Sequence, residues 1–327
     1  MNTRRTFAAA MGVIAGSLNT AQVLAQPVAY PVKPVKVIVG FPAGGVADIR
    51  TRQFSQRLSE ALGQQFVVEN RAGASGAIGA ELVAKSPPDG YTLGLGTINE
   101  MALAGAMGGK LSFDPVRDFA AISLITAGYP VLLATNALPV ESLTAFVQRA
   151  KDQPGKINIA SSGLGTHQHF VSGYFATSQG LRVSLVPYKG SAAAFPDLMA
   201  GQVHAVLAYV AEFIALARGG KVRPLAVFGP RRSPMLPNVP TAAEAGFAGY
   251  DVYGWQGLFA PAGTSATIVR QLNAEIIKIG TSAELQKILA EAGSEFIAMT
   301  PAEFGEFVRE QGVRWRKIVA ESGVKVE

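Results

Sequence analysis

The chain contains no cysteine. That excludes a disulfide framework, a thiol nucleophile, an iron–sulfur cluster and any zinc site built on thiolates. Charge is scarce too: Asp, Glu, Lys and Arg make up 16% of 327 residues, against about a quarter in ordinary globular proteins. Basic residues exceed acidic ones by only 29 to 23, and no basic cluster forms the stripe a nucleic acid needs, so nucleic acid is excluded as a partner while a small anion is not. The phosphate loop GxxxxGK[ST], the dinucleotide fingerprint GxGxxG and the nucleophile elbow GxSxG are all missing. Beyond residue 25 no stretch is long and apolar enough for a membrane span. What the chain does have is 49% hydrophobic residues, 36 glycines and 19 prolines. This is the composition of a large core of buried strands joined by many tight loops.

Residues 1–25 read as a cleavable signal peptide. Arg4 and Arg5 supply the positive start, Phe7 to Leu18 the apolar segment, and Val23-Leu24-Ala25 the small-residue cleavage site before Gln26. Thr3-Arg4-Arg5-Thr6-Phe7 also fits a twin-arginine signal. No cysteine follows the cleavage site to carry a lipid anchor. The expectation is a periplasmic product without a membrane anchor.

The rest of the chain alternates short β-type runs with helical patterns. Strands are expected at residues 36–41, 66–70, 91–96, 121–125, 130–134, 156–160, 182–187, 205–209 and 223–228. Helices are expected at about 47–62, 77–85, 265–279, 283–290 and 301–322, and after the strands ending at 160, 187 and 209. Strand–loop–helix units of this kind specify parallel sheets with right-handed crossovers. The two closely spaced strands near residues 121–134 suggest an α/β protein of two lobes, the second inserted into the first. On this reading the first lobe comprises residues 26–126 and 229–327, the second 127–228, with a ligand cleft between them.

Two glycine-rich loops follow strands and open helices. In Phe41-Pro42-Ala43-Gly44-Gly45, with Asp48 in the next helical turn, bare backbone can approach a ligand, and the helix N-terminus favours an anion. The same loop reads equally well as a structural tight turn, and Asp48 as its brace rather than a general base. In Ser161-Ser162-Gly163-Leu164-Gly165-Thr166, two hydroxyls and backbone N–H groups can take a carboxylate. Tyr188 and Lys189 end a further strand; Tyr188 can wall the cleft and Lys189 can attract an anion into it, or equally well be a snorkelling surface lysine. Ser161 or Ser162 with His167 or His169 is the basis of an alternative, a serine-type esterase or amidase. His167 and His169 stand two apart on a helix and so point to different sides, which disfavours a metal pair.

Taken in order, these motifs resemble the Bordetella uptake gene (Bug) family, the substrate receptors of tripartite tricarboxylate transporters. The resemblance is carried by Phe41-Pro42-Ala43-Gly44-Gly45 with Asp48 and Arg52, by residues 70–79 (NRAGASGAIG), and by Pro88-Asp89-Gly90-Tyr91. It continues through Ser161–Thr166 with His169, Val186-Pro187-Tyr188-Lys189-Gly190, Pro240-Thr241 with Glu244, Trp255 and Pro261-Ala262-Gly263-Thr264. Departures are Arg71-Ala72 where Arg-Pro is common, Phe170 in place of Leu, and His204 in place of an acid. The resemblance implies a type II periplasmic binding protein fold. It also implies a monomeric receptor without cofactor, metal or catalysis, and a small organic carboxylate (di-, tri- or aromatic) as ligand. That ligand would be clasped by residues 41–48 and 161–166 and delivered to the transporter's membrane components. The same fold can serve a membrane sensor as an adaptor. Members that take amino acids offer an acid near Ala208; the stretch Val206–Tyr209 has none, so a ligand without an amine is expected.

Overall fold

The computed structural model describes residues 30–250 and 252–324; the signal peptide read above lies outside them. In chain order the elements are β1 (Val35–Val39), α1 (Val46–Leu62), β2 (Phe66–Asn70), α2 (Ala77–Ala84), β3 (Thr92–Thr97), a π-helical turn Asn99–Leu103 continued by α3 (Ala104–Ala106), β4 (Phe119–Gly128) and β5 (Pro130–Thr135). There follow α4 (Leu143–Asp152), β6 (Ile157–Ser161), α5 (His167–Ser178), β7 (Val183–Pro187), α6 (Phe195–Met199), β8 (Ala205–Tyr209), α7 (Val210–Arg218) and β9 (Val222–Val227). The chain ends with β10 (Gly254–Pro261), α8 (Ala266–Gly280), α9 (Ala283–Glu291), β11 (Ser294–Glu295) and α10 (Pro301–Glu321).

Two sheets result. The first has the order β11-β4-β10-β3-β1-β2 and the second β7-β6-β8-β5-β9. Within each, the strands of the βαβ units run parallel, as β1 does with β2 and β3, and β6 with β7 and β8. The expectation of parallel sheets fails at three strands, since β11 pairs antiparallel with β4 and two longer strands also run antiparallel to their neighbours. β10 is antiparallel to both β3 and β4, and β5 to both β8 and β9. The chain passes from the first sheet to the second at Tyr129 and re-enters the first at Gly254. Parallel pairing puts the ends of β1, β2 and β3 on one edge of their sheet and the ends of β6, β7 and β8 on one edge of theirs. Those edges are where ligands of open α/β sheets bind.

β10 and α4 are the longest of the elements that escaped sequence reading, which also include the turn at Asn99–Leu103, α3 and β11. β10 carries glycines at 254 and 257, which depress β-propensity. A Cβ on Gly257 would lie 2.1 Å from the Phe304 ring, so the missing side chain is what lets α10 close on the sheet. α4 has an ordinary start, with the Ser142 hydroxyl accepting from Ala145 N, and it buries Leu143, Phe146, Val147 and Ala150 at helical spacing.

One hydrophobic cluster runs through both sheets. It joins Leu124, Trp255, Phe259 and Phe304 to Leu132, Phe170, Phe175 and Leu207. α10 is the main link. It starts with Thr300 and Glu303 capping each other's N–H groups and Pro301 in its first turn. Its Trp315 meets the His167 ring edge-on at 5.0 Å, and Ser322 beyond it accepts a hydrogen bond from Thr177 at the end of α5.

β1 leads into Gly40, where two backbones touch. A Cβ there would stand 2.6 Å from Gly76 O, and one on Gly79 would stand 2.7 Å from Gly40 Cα. Gly40→Ala should therefore destabilise the fold by about 1–3 kcal/mol in urea unfolding, the scale of overpacking against an unyielding neighbour. Gly105→Ala, whose Cβ would meet only Leu111 at 4.0 Å, should stay within about 0.5 kcal/mol of wild type.

Candidate functional site

α1 opens without a side-chain cap at Gly45, so the N–H groups of its first turn, Val46 to Asp48, have no intrahelical acceptor. Asp48 is 3% exposed and turns back on the loop before it. Its Oδ2 accepts from Gly44 N at 2.9 Å, its Oδ1 from Asn70 Nδ2 at 2.9 Å, and both oxygens take Arg52 Nε at 3.0 Å. The bond to Arg52, with those to Gly44 and Asn70, holds the carboxyl down at about 2 against the opposing effect of burial. Asn70 also donates to Phe41 O. Asp48 is thus the brace of residues 41–45, and Gly44 N is spent inside the loop. Pro42, Ala43 and Gly44 remain exposed, and Gly44 holds a positive φ of 80°.

The second loop has the same device with a different acceptor. Gly165 N donates to His169 Nδ1 at 3.2 Å, and Thr166 Oγ1, the N-cap of α5, accepts from His169 N. Ser162 Oγ donates to Thr166 Oγ1 and Thr166 Oγ1 donates to Gly163 O. Since Nδ1 accepts, His169 is neutral with its proton on Nε2, and burial lowers its pKa accordingly. Ser161 Oγ is fully buried and has no hydrogen-bond partner among the described residues. Neither serine hydroxyl meets a histidine, so the Ser–His contact that an esterase needs is not formed among the described residues.

The end of β7 is sewn onto this loop: Tyr188 N donates to Ser161 O and Gly190 N to Ser162 O. The Tyr188 hydroxyl is taken by Asp197 Oδ2 at 2.6 Å, and that bond pushes its pKa up to about 12. Lys189 is exposed. The structure therefore gathers Ser161, Ser162, Gly163, Gly165, Thr166, His169, Tyr188 and Lys189 on the edge of the second sheet. Phe41 to Gly45 and Asp48 lie on the edge of the first.

Further groups accompany the two edges, and sequence reading had not placed Arg50, Ser294 or Glu212 among them. Arg50 in α1 reaches Ser294, and the Ser294 Cβ and the Tyr209 ring both lie at van der Waals distance, 3.6–3.9 Å, from where a Cβ on Gly128 would stand at the crossing. The Tyr209 hydroxyl bonds His167 Nδ1 at 2.9 Å, at the first residue of α5. Burial drives the His167 pKa down to about 3. Glu212 is an acid three residues beyond Val206–Tyr209. It accepts from Tyr209 N at 2.9 Å, and burial raises its pKa. Its spacing from the end of β8, at the third position of a helix, was the available signal. Glu100 lies buried beside Gly76, where a Cβ would stand 2.7 Å from its Oε2, accepting from Thr97 N, and burial raises its pKa to about 8. A groove of about 320 Å³ lined by Phe119, Phe259, Pro301 and Val308 among others takes no residue from these loops.

The Asp48 brace titrates in acid. Its folded-state pKa of about 2 lies below the ordinary 3.8, so its stabilisation is complete above pH 4 and disappears as pH falls toward 2, a loss of about 2 kcal/mol. Urea midpoints between pH 5 and 2 should show this slope in wild type and lose it in Asp48→Asn; identical slopes would exclude the brace. Asp48→Ala should cost about 2–3 kcal/mol at pH 7, because three donors lose their acceptor.

The geometry matches that of known proteins. The model of the tripartite tricarboxylate transporter family receptor matches residues 50–324. BugT of Bordetella pertussis is 33% identical over 309 residues, covering 93% of this chain and 94% of its own. A solved R. palustris protein with adipate superposes with a TM-score of 0.79 at 35% identity, over 90% of this chain and 99% of that one. MatC from Rhodopseudomonas palustris with bound malate gives 0.75 at 31% identity, over 89% and 100%. The fold is that of a periplasmic binding protein, as the likeness to BugD also shows, and the chain belongs to the tripartite tricarboxylate transporter receptor family.

Proposed function

We propose that the protein is a periplasmic receptor that clasps a small organic carboxylate between residues 41–48 and 161–166 and delivers it to the membrane components of a tripartite tricarboxylate transporter. The observation that carries this reading is the paired construction of the two loops. Each ends a parallel strand, opens a helix, and has its glycine N–H held by a side chain four residues on. Such pre-set helix N-termini favour an anion, since the dipole and the unpaired N–H groups both point at it. The adipate and malate bound by the two relatives are carboxylates. The buried Ser161 hydroxyl, unpaired among the described residues, is a further donor for such a ligand.

On this reading residues 26–126 with 229–327 form one lobe and residues 127–228 the other, moving about the crossings at Tyr129 and Gly254. The receptor works as a monomer, exported by its signal peptide, and performs no chemistry on what it binds. Asp48 and Glu100 are both engaged by donors of their own loops, and Glu212 by Tyr209 N, so an ammonium group finds no free acid among the three. A carboxylic acid should therefore bind more tightly than its amino analogue.

Calorimetry with ligand-stripped protein tests this. Saturable binding of at least one di-, tri- or aromatic carboxylate, with a more compact liganded state by small-angle scattering, is the expected outcome. Succinate should bind more tightly than aspartate. No heat from any carboxylate would contradict the receptor reading.

A further inference from the structure

The first turns of α1 carry two arginines in opposite circumstances. Arg52 has a side chain half exposed to solvent and paired with Asp48. Arg50 is 7% exposed and is paired with no carboxylate among the described residues. Its Nη1 donates to Gln53 Oε1 at 2.8 Å, and its Nη2 reaches Ser294 Oγ only at 3.4 Å. Both acceptors are neutral. The nearest acid in sequence to Ser294 is Glu295, which is already taken by the Tyr129 hydroxyl and by Arg231. A guanidinium does not give up its proton in a protein, and a buried ion without a counter-ion is among the costliest arrangements a fold can hold. Helix spacing explains how it arises. Asp48 and Arg52 share a face, whereas Arg50, two residues on, stands on another.

Its place is as telling as its charge. Arg50 stands one turn inside the helix whose N-terminus forms the first half of the candidate site. Ser294, to which it reaches, sits with Tyr209 at Gly128, and Tyr209 bonds His167 at the start of α5. Arg50 thus lies on the line of contacts that joins the two ligand-facing helix starts.

We propose that Arg50 is the counter-ion for the second carboxylate of a dicarboxylate ligand. The inference rests on the receptor reading above and narrows its ligand class. One carboxylate occupies the N–H groups of the two loops, and the other takes the planar fork of Arg50, whose geometry suits a carboxylate in two parallel hydrogen bonds. Among the described residues no carboxylate pairs with this charge; the ligand supplies one, which makes Arg50 a selector for diacids over monoacids.

The test is calorimetry of wild type, Arg50→Met and Arg50→Lys against three matched pairs: succinate and butyrate, adipate and hexanoate, terephthalate and benzoate. Wild type should bind one diacid about 10- to 100-fold more tightly than its monoacid, the scale of a charge-assisted pair. Arg50→Met should bring that ratio to within about threefold of unity while leaving the monoacid affinity unchanged, and Arg50→Lys should fall between. Melting temperatures of the unliganded proteins separate positioning from mere support. Removing an unpaired buried charge should leave Arg50→Met as stable as wild type or more so. A diacid preference that survives in Arg50→Met, or that is missing in wild type, overturns the inference alone. A lower unliganded melting temperature with unchanged selectivity does the same and makes Arg50 structural. Failure of all six acids to bind wild type contradicts the receptor reading, and the inference falls with it.

Discussion

A glycine N–H held by an acceptor four residues along the following helix fixes each of the two loops on which the candidate site depends. Asp48 does this for Gly44 and His169 for Gly165. The cost of ordering a glycine-rich loop is high because glycine has the most conformations to lose. Here it is met during folding, so a ligand encounters N–H groups already set. The two acceptors are not equivalent. Asp48 is an ionised carboxylate that stays so down to about pH 2, whereas His169 accepts only while neutral, which its burial favours. The first loop therefore carries a fixed negative charge, balanced by Arg52, and the second carries none.

The scaffold holds these loops by backbone contact and by a shared core. Gly40 and Gly79 press β1 against the segment that carries Gly76, which seats the first loop on the second strand's loop. Trp315 of α10 packs on His167, at the start of the other helix. The cluster that unites Phe304 and Trp255 with Phe170 and Leu207 makes the two sheets one packed body in this conformation. Any relative movement has to be absorbed at the crossings, where Tyr129 is packed against Tyr253 and bonded to Glu295.

Much of this was legible in the sequence, for identifiable reasons. α1 is announced by the loop glycines before it and by Gly63 after it, which caps the helix in the left-handed conformation that glycine adopts without penalty. The strands of the βαβ units are short runs rich in Val, Ile and Leu, as in β1 (VKVIV) and β8 (AVLAY). β10 was not legible, because what makes it a central strand is the aromatic packing over Gly257, supplied by α10 some fifty residues later. The bracing of Asp48 was readable from its position in the first turn; that of His169 was not, since a histidine at that place serves equally as ligand or base. Arg50 and Glu212 went unplaced because their significance lies in burial and in partners absent or distant in sequence.

The central claim is that one anion engages both loops at once. The most direct measurement is the backbone amide spectrum of 15N-labelled protein during titration with adipate. The amides of Val46, Ala47 and Asp48, and those from Ser162 to Gln168, should shift together with a single dissociation constant. Shifts confined to one loop, or absent from both while ligand binds elsewhere, would contradict the account.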